Sequence, residues 1–287
     1  MSNPKPRDLS SRRRASLASL LVALALTLAT PASLIAQSDD LELGRRAATA
    51  EGAEAAPADQ LKISLGAGVA SAPEFEGAKK YEIKFLPVVE LGYDRLFLSL
   101  SQGLGARIID NGRWVVAPSV RYRAGRDEDD SDILKGMGDV DDGLAAGVMV
   151  KFSPSDFSLF FNGYQGLGSA EGLTMELGAA YKIQVMEHLK FSAELSTMFA
   201  DEEYNQEFFG VNSQQAGRTG YDRYQPDSGF KHVALGGALS YSLTQNLNLG
   251  LFGEYKVLTG PAADSPLVER GSKNQFSSGL MLGFNLR

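Results

Sequence analysis

No cysteine occurs in the 287 residues, and there are only two histidines and one tryptophan. An exported chain without cysteine has no disulfide framework and no thiol chemistry. Basic residues are also in deficit, with 28 Lys and Arg against 35 Asp and Glu and a formal charge of −7. Five of the basic residues, Lys5, Arg7, Arg12, Arg13 and Arg14, precede residue 36 with one acid, Asp8, so the remainder carries about −11. That balance excludes nucleic acid, whose phosphates demand a basic face. Long apolar runs are scarce too. Ala15–Ala29 comes near spanning length, and no second run does. Beyond it, the chain is either soluble or crosses a membrane as strands.

The start reads as a secretory signal over residues 1–36: a basic beginning, the Ala15–Ala29 run, and small residues around Pro31–Ala36 with a cut after Ala36. Leu34 sits where a small residue is preferred, and an uncleaved anchor helix is the alternative. Residues 37–60 are rich in Ala, Glu and Asp without periodic apolar positions, which suits a mobile periplasmic leader. Residues 61–287 remain for one domain.

That domain alternates. In the last segment Phe276, Ser278, Leu280, Leu282, Phe284 and Leu286 share one face, and Gln275, Ser277, Gly279, Met281, Gly283 and Asn285 the other. Leu61, Ile63, Leu65, Ala67 and Val69 repeat the pattern, as do Tyr81–Leu91, Trp114–Tyr122, Leu144–Phe152, Leu173–Ile183, Leu189–Phe199, Val233–Leu243 and Leu247–Val257. Phe157–Gln165 is apolar on both sides, and Leu96–Ile108 reads as one segment. Charges stay off the apolar faces. Glu82, Lys84, Arg121, Arg123, Glu176, Lys182, Lys190, Glu194, Glu254 and Lys256 all fall opposite them, as candidates for a lumen. A charge at the lipid midplane costs roughly 2–4 kcal/mol, so a membrane barrel must exclude it. A soluble β-sandwich also alternates, but its outer faces carry more charge and less Gly, Ala and Ser. Tight turns such as Asp110-Asn-Gly112 and Ser153-Pro-Ser-Asp156 alternate with long polar loops at Asp127–Gly143, Asp201–Gly229 and Gly260–Lys273. These features predict an all-β fold, a transmembrane antiparallel up-and-down barrel. Eleven segments conflict with an even strand number; the length favours ten strands, then twelve.

On these residues the chain resembles the MipA/OmpV family of outer-membrane proteins over roughly residues 61–287. The resemblance rests on Gly66-Ala-Gly-Val69, Pro73-Glu-Phe-Glu-Gly77, Leu86-Pro87, Gly103-Leu-Gly105, Gly125-Arg126, Leu134-Lys-Gly-Met-Gly-Asp-Val-Asp141, Phe208-Phe-Gly-Val211 and Ala263-Asp-Ser-Pro-Leu-Val268. It implies an outer-membrane barrel in contact with lipid and inserted by the barrel-assembly machinery. It further implies a scaffold that binds a lytic transglycosylase and a murein synthase, with no catalytic residue, cofactor or metal to carry over. Such barrels usually end on an aromatic residue, whereas this chain ends Phe284-Asn-Leu-Arg287.

The residues themselves offer little chemistry. A Ser–His hydrolase needs serine, histidine and an orienting acid together. His188 lies in a turn, and His232 begins a strand and points inward near an interface, where it reads as a solvated residue at a rim; Ser240 and Ser242 share its segment but lie too far along it. Asp127, Glu128, Asp129, Asp130, Asp132, Asp139, Asp141 and Asp142 make an acidic loop without the spacing of an EF-hand. The inward charges either pair with one another and plug the lumen or line a selective pore. The expected function is a non-enzymatic outer-membrane scaffold for murein enzymes, the alternative a small-solute channel or adhesin.

Overall fold

The computed structural model describes residues 60–169 and 171–286. The expected signal and nearly all of the expected leader lie outside them. Twelve antiparallel strands close a barrel. They are β1 (Leu61–Pro73), β2 (Tyr81–Tyr93), β3 (Leu96–Ser99), β4 (broken into Gly103–Ala106 and Ile109–Asp110), β5 (Trp114–Arg123), β6 (Gly143–Phe152), β7 (Phe157–Leu167), β8 (Leu173–Met186), β9 (Leu189–Ala200), β10 (Gly229–Ser242), β11 (Leu247–Leu258) and β12 (Asn274–Leu286). Each pairs with its chain neighbours, and β12 returns to β1 with Leu65 opposite Phe284.

Twelve replaces the favoured ten because Leu96–Ile108 is two strands. Ser99 Oγ accepts a hydrogen bond from Gln102 N at 2.9 Å, and Gly103 takes φ +74°, which favours glycine. The chain therefore reverses after four residues. The extra reversal repairs the parity: both ends of the barrel chain and the turns at 94–95, 111–113, 153–156, 187–188 and 243–246 share one end, and the long loops lie on the other side with the short β3–β4 and β7–β8 connections.

The outer face is a belt. Ile183, Phe191, Leu239, Leu251, Leu280, Val69 and Phe85 stand opposite one another in register across seven consecutive strands, all exposed. Such a row has no water-soluble explanation and meets the lipid requirement. Inside, bulky side chains lie over glycines on the neighbouring strand: Phe97 opposite Gly105, Tyr164 opposite Gly147, Phe160 opposite Gly178, Phe252 opposite Gly279 and Met281 opposite Gly68. A Cβ on Gly147 would stand 2.6 Å from the Tyr164 ring, so these glycines are the space the rings occupy. Leu86, Val88, Phe252 and Met281 join Ala70, Ala72 and Ala238 in a buried cluster. The interior is thus partly apolar, where alternation alone suggested a polar lumen.

The three long loops do not stay polar and open. The β9–β10 loop carries α1 (Glu202–Phe209), capped by Asp201, and α2 (Ser213–Thr219), capped by Asn212. The β11–β12 loop carries α3 (Gly260–Ala263) and α4 (Pro266–Arg270). Their apolar residues meet those of the β1–β2 and β5–β6 loops. One cluster joins Phe75, Ala78, Leu134, Met137, Val211 and Leu267, and a second joins Tyr204, Phe209, Ala262 and Val268 to the strand ends Ala200 and Leu258. Four loops form one cap over the barrel mouth. Among the described residues no helix is long and apolar enough to cross a membrane.

Candidate functional site

Beneath the cap lies a buried charge cluster made possible by an irregularity in β10. Met198 of β9 pairs with His232 and Phe199 with Phe230, so Lys231 is an extra residue. This bulge turns Lys231 and His232, consecutive in sequence, into the interior together, each 3% exposed. Glu76, from the β1–β2 loop, enters between them. Its carboxylate lies 2.9 Å from Lys231 Nζ, 3.6 Å from His232 Nδ1 and 3.6 Å from Lys256 Nζ on β11. Burial alone would push the Glu76 carboxyl up. The charge of Lys231 and the close approach of His232 outweigh it and hold Glu76 at about 2.

On the opposite wall two arginines hold the cap. Arg123, at the end of β5, donates from Nη1 to the carbonyls of Glu171 and Gly172 at 2.9 Å each. Arg126 donates to the Phe208 carbonyl near the end of α1, and its burial lowers its pKa to about 10. Between the walls stands Tyr204 of α1. Its ring centroid is 5.3 Å from the Arg123 guanidinium carbon and 5.0 Å from Lys231 Nζ, and its hydroxyl lies 3.3 Å from that ammonium. β5 and β10 are five strands apart in a ring of twelve, so one tyrosine spans the mouth from wall to wall. Beside it Glu207 has a buried carboxylate oxygen with no hydrogen-bond partner. Burial pushes this carboxyl up to about 7, with Glu171 and Asp141 adding to the rise and Arg123 and Arg126 opposing it.

The residues singled out from sequence divide into groups. Lys256 joins the Glu76 cluster and Arg123 the tyrosine strut. Arg121 stacks on Tyr164, 4.2 Å from the ring centroid. Glu82 pairs with Lys84 at 3.1 Å, and Lys84 also donates to the Glu74 carbonyl. Glu176 accepts from Asn162 at 2.9 Å. Glu194 and Glu254 both stand opposite Gly236 in register. Lys182 and Lys190 are exposed on the β8–β9 hairpin, beyond the last pair with β7 at Tyr181. Glu76, Lys231, Tyr204, Arg126 and Glu207 went unnoticed as a site, although Glu76 and Arg126 lie in stretches that carried the family resemblance. A strict two-residue period hides Lys231, because a bulge leaves no mark in alternation.

His232 is not a solvated rim residue; it is buried against Glu76. It has no nucleophile beside it on its own strand, since Ser240 lies eight residues on, about 26 Å away at strand rise. The acidic loop satisfies its own backbone. Glu128 accepts from Gly136 N and Gly138 N, Asp139 from Glu128 N, and Asp127 caps the turn Glu128–Asp130. No group of three or more metal-ligating His, Asp or Glu forms among the described residues.

The family model described as "MltA-interacting protein MipA" matches residues 65–285. The chain belongs to the MipA family. No curated protein matches it. Among solved structures, this MipA-family barrel is similar to the COG4313 outer membrane channel from Pseudomonas putida F1, with 10% identity, TM-score 0.43, and coverage of 82% of this chain and 98% of that one. It is also similar to a bacterial polysaccharide outer membrane secretin (10%, TM-score 0.43, 81% and 100%) and to the KdgM porin (7%, TM-score 0.39, 78% and 100%). At these scores the likenesses carry no argument about what passes through or binds. Strand closure, the lipid belt and family membership make the chain an outer-membrane-type β-barrel.

Proposed function

We propose that this MipA-family barrel is a non-enzymatic scaffold of the outer membrane, exported by a signal cleaved after Ala36, that binds a lytic transglycosylase and a murein synthase. Family membership over residues 65–285 carries the reading, because the family description is of an MltA-interacting protein and the family resemblance implies a lytic transglycosylase as that partner. The capped mouth supports it: a barrel spanned by Tyr204 and filled below by Phe252 and Met281 is poorly suited to conduct solutes. The short-turn end would face the periplasm, where such enzymes work. There the β8–β9 hairpin projects, with Val185 and Met186 exposed beside Lys182 and Lys190. This hairpin is the surface we assign to the enzymes. Purified barrel on a resin should retain a lytic transglycosylase or a synthase from periplasmic extract of the same cell. Met186→Asp should reduce the capture at least about fivefold, as expected for loss of a central apolar contact. Retention of neither enzyme would overturn the proposal.

A further inference from the structure

The lumen is cationic where it opens on the short-turn side. Lys62 of β1, Lys151 of β6, Lys182 of β8 and Lys190 of β9 each sit one residue from an outward apolar residue, Ile63, Phe152, Ile183 and Phe191 in turn. Strand parity therefore turns all four inward near that rim. Arg107, at the break in β4, joins them from the wall, 3.9 Å from Asp110. Glu90 and Asp110 are the inward acids at this level among the described residues. The turns beyond the rim are close to balance, with Asp94, Asp156 and Glu187 beside Arg95 and Arg113. Net positive charge is thus concentrated inside the opening. Above it the lumen is polar and ends blind. Ser64 donates to Asn285 at 2.7 Å and Ser242 to Asn248 at 2.9 Å, and the buried Ser240 hydroxyl has no hydrogen-bond partner among the described residues. Beyond these Leu86, Val88, Phe252 and Met281 close the barrel with hydrocarbon.

An acidic segment is tethered to this ring. The chain enters the barrel at Leu61, beside Lys62. Ahead of it, residues 37–59 carry Asp39, Asp40, Glu42, Glu51, Glu54 and Asp59 against Arg45 and Arg46, a net charge of −4. Twelve strands about 4.8 Å apart and tilted by about 40° make a ring ~24 Å across. A random chain of the length from Asp40 to Leu61 spans about 25 Å, so its carboxylates reach every part of the ring. Tethering also sets an effective concentration of millimolar order at the opening, which a dissolved anion or a separate acidic protein would have to exceed.

We propose that residues 37–59, following the signal cut proposed above, turn back under the barrel and set their carboxylates in this cationic ring as a tethered plug. The contact stands whether or not enzymes bind the β8–β9 hairpin. It is ionic and open to water on one side, so salt weakens it. The test is carbodiimide cross-linking, which joins a carboxylate to an amine with loss of water, on the whole mature chain refolded in mild detergent and read by peptide mass spectrometry. Acids from Asp39 to Glu54 should join to Lys151, Lys182 or Lys190 within one chain. Raising salt from about 50 mM to about 0.5 M should cut these products about fivefold. The exposed loop-side lysines Lys79, Lys80 and Lys135 should not join to the segment. The variant Asp39→Asn/Asp40→Asn/Glu42→Gln leaves every barrel residue in place. It should quicken acetylation of Lys182 and Lys190 about threefold and leave that of Lys79 unchanged. Cross-links confined to Lys62, to the loop-side lysines or to separate chains, products indifferent to salt, or unchanged acetylation in the variant would each overturn the proposal. Protection of Lys182 and Lys190 by added citrate with no cross-link from the segment would give the ring to dissolved anions and overturn it too.

Discussion

At the scale of residues, the mouth is held by charges that titrate in opposite senses. Glu76 is depressed to about 2 from an ordinary 4.5, so its stabilisation is complete above 4.5 and disappears as pH falls through about 2. Glu76→Gln leaves Lys231, Lys256 and His232 buried without their carboxylate, which should cost about 3–5 kcal/mol and lower the melting temperature of the refolded barrel. Glu207 is raised to about 7. Its contribution to the closed cap is present below 4.5 and lost as pH rises through about 7. Limited proteolysis of the β9–β10 loop should therefore quicken above neutral pH, and Glu207→Gln should flatten that dependence. A loop cut at the same rate on both sides of pH 7 in wild type would remove this role. Neither carboxylate could be singled out from sequence, because each depends on partners distant in the chain. Glu76 meets Lys231 across 155 positions.

At the scale of elements, strand parity decides what each side chain meets. Leu251 stands between Leu239 and Leu280 in the outer row. Leu251→Arg should hinder insertion, since a guanidinium at mid-membrane costs roughly 2–4 kcal/mol. On gels of outer-membrane extracts the heat-modifiable form should be depleted, while Gly250→Ser, buried on the inner face, should assemble far better. The reverse ranking would exchange the two faces. Alternation made these faces legible from residues alone. It failed at β3–β4, where Ser99 and Gly103 end a strand that apolar periodicity would have continued, and at Lys231, where a bulge adds a residue. Pro87, just beyond the last rung to β3, and Pro118, beside the break in β4, each lack a ladder donor, but they read as ordinary apolar positions because both fall on the apolar face.

At the scale of the whole molecule, the cap determines whether the barrel is a pore. Four loops meet around Tyr204, so replacing residues 202–228 with a short turn should unplug the mouth. Planar-bilayer recordings should then show steady openings in the deletion variant and quiet membranes with wild type. Frequent openings in wild type would return the channel reading to first place.

The sequence by itself determined the class of fold and the two faces of nearly every strand, because a charge in lipid is so costly that one sign of alternation must run the length of the chain. It also carried the family, in short stretches that turn out to lie mostly in turns, loops and the cap. Only the tertiary structure decided the strand number, the closed mouth and the Glu76 cluster. Each depends on register between segments far apart, and a two-residue period says which way a side chain points without saying what stands opposite it.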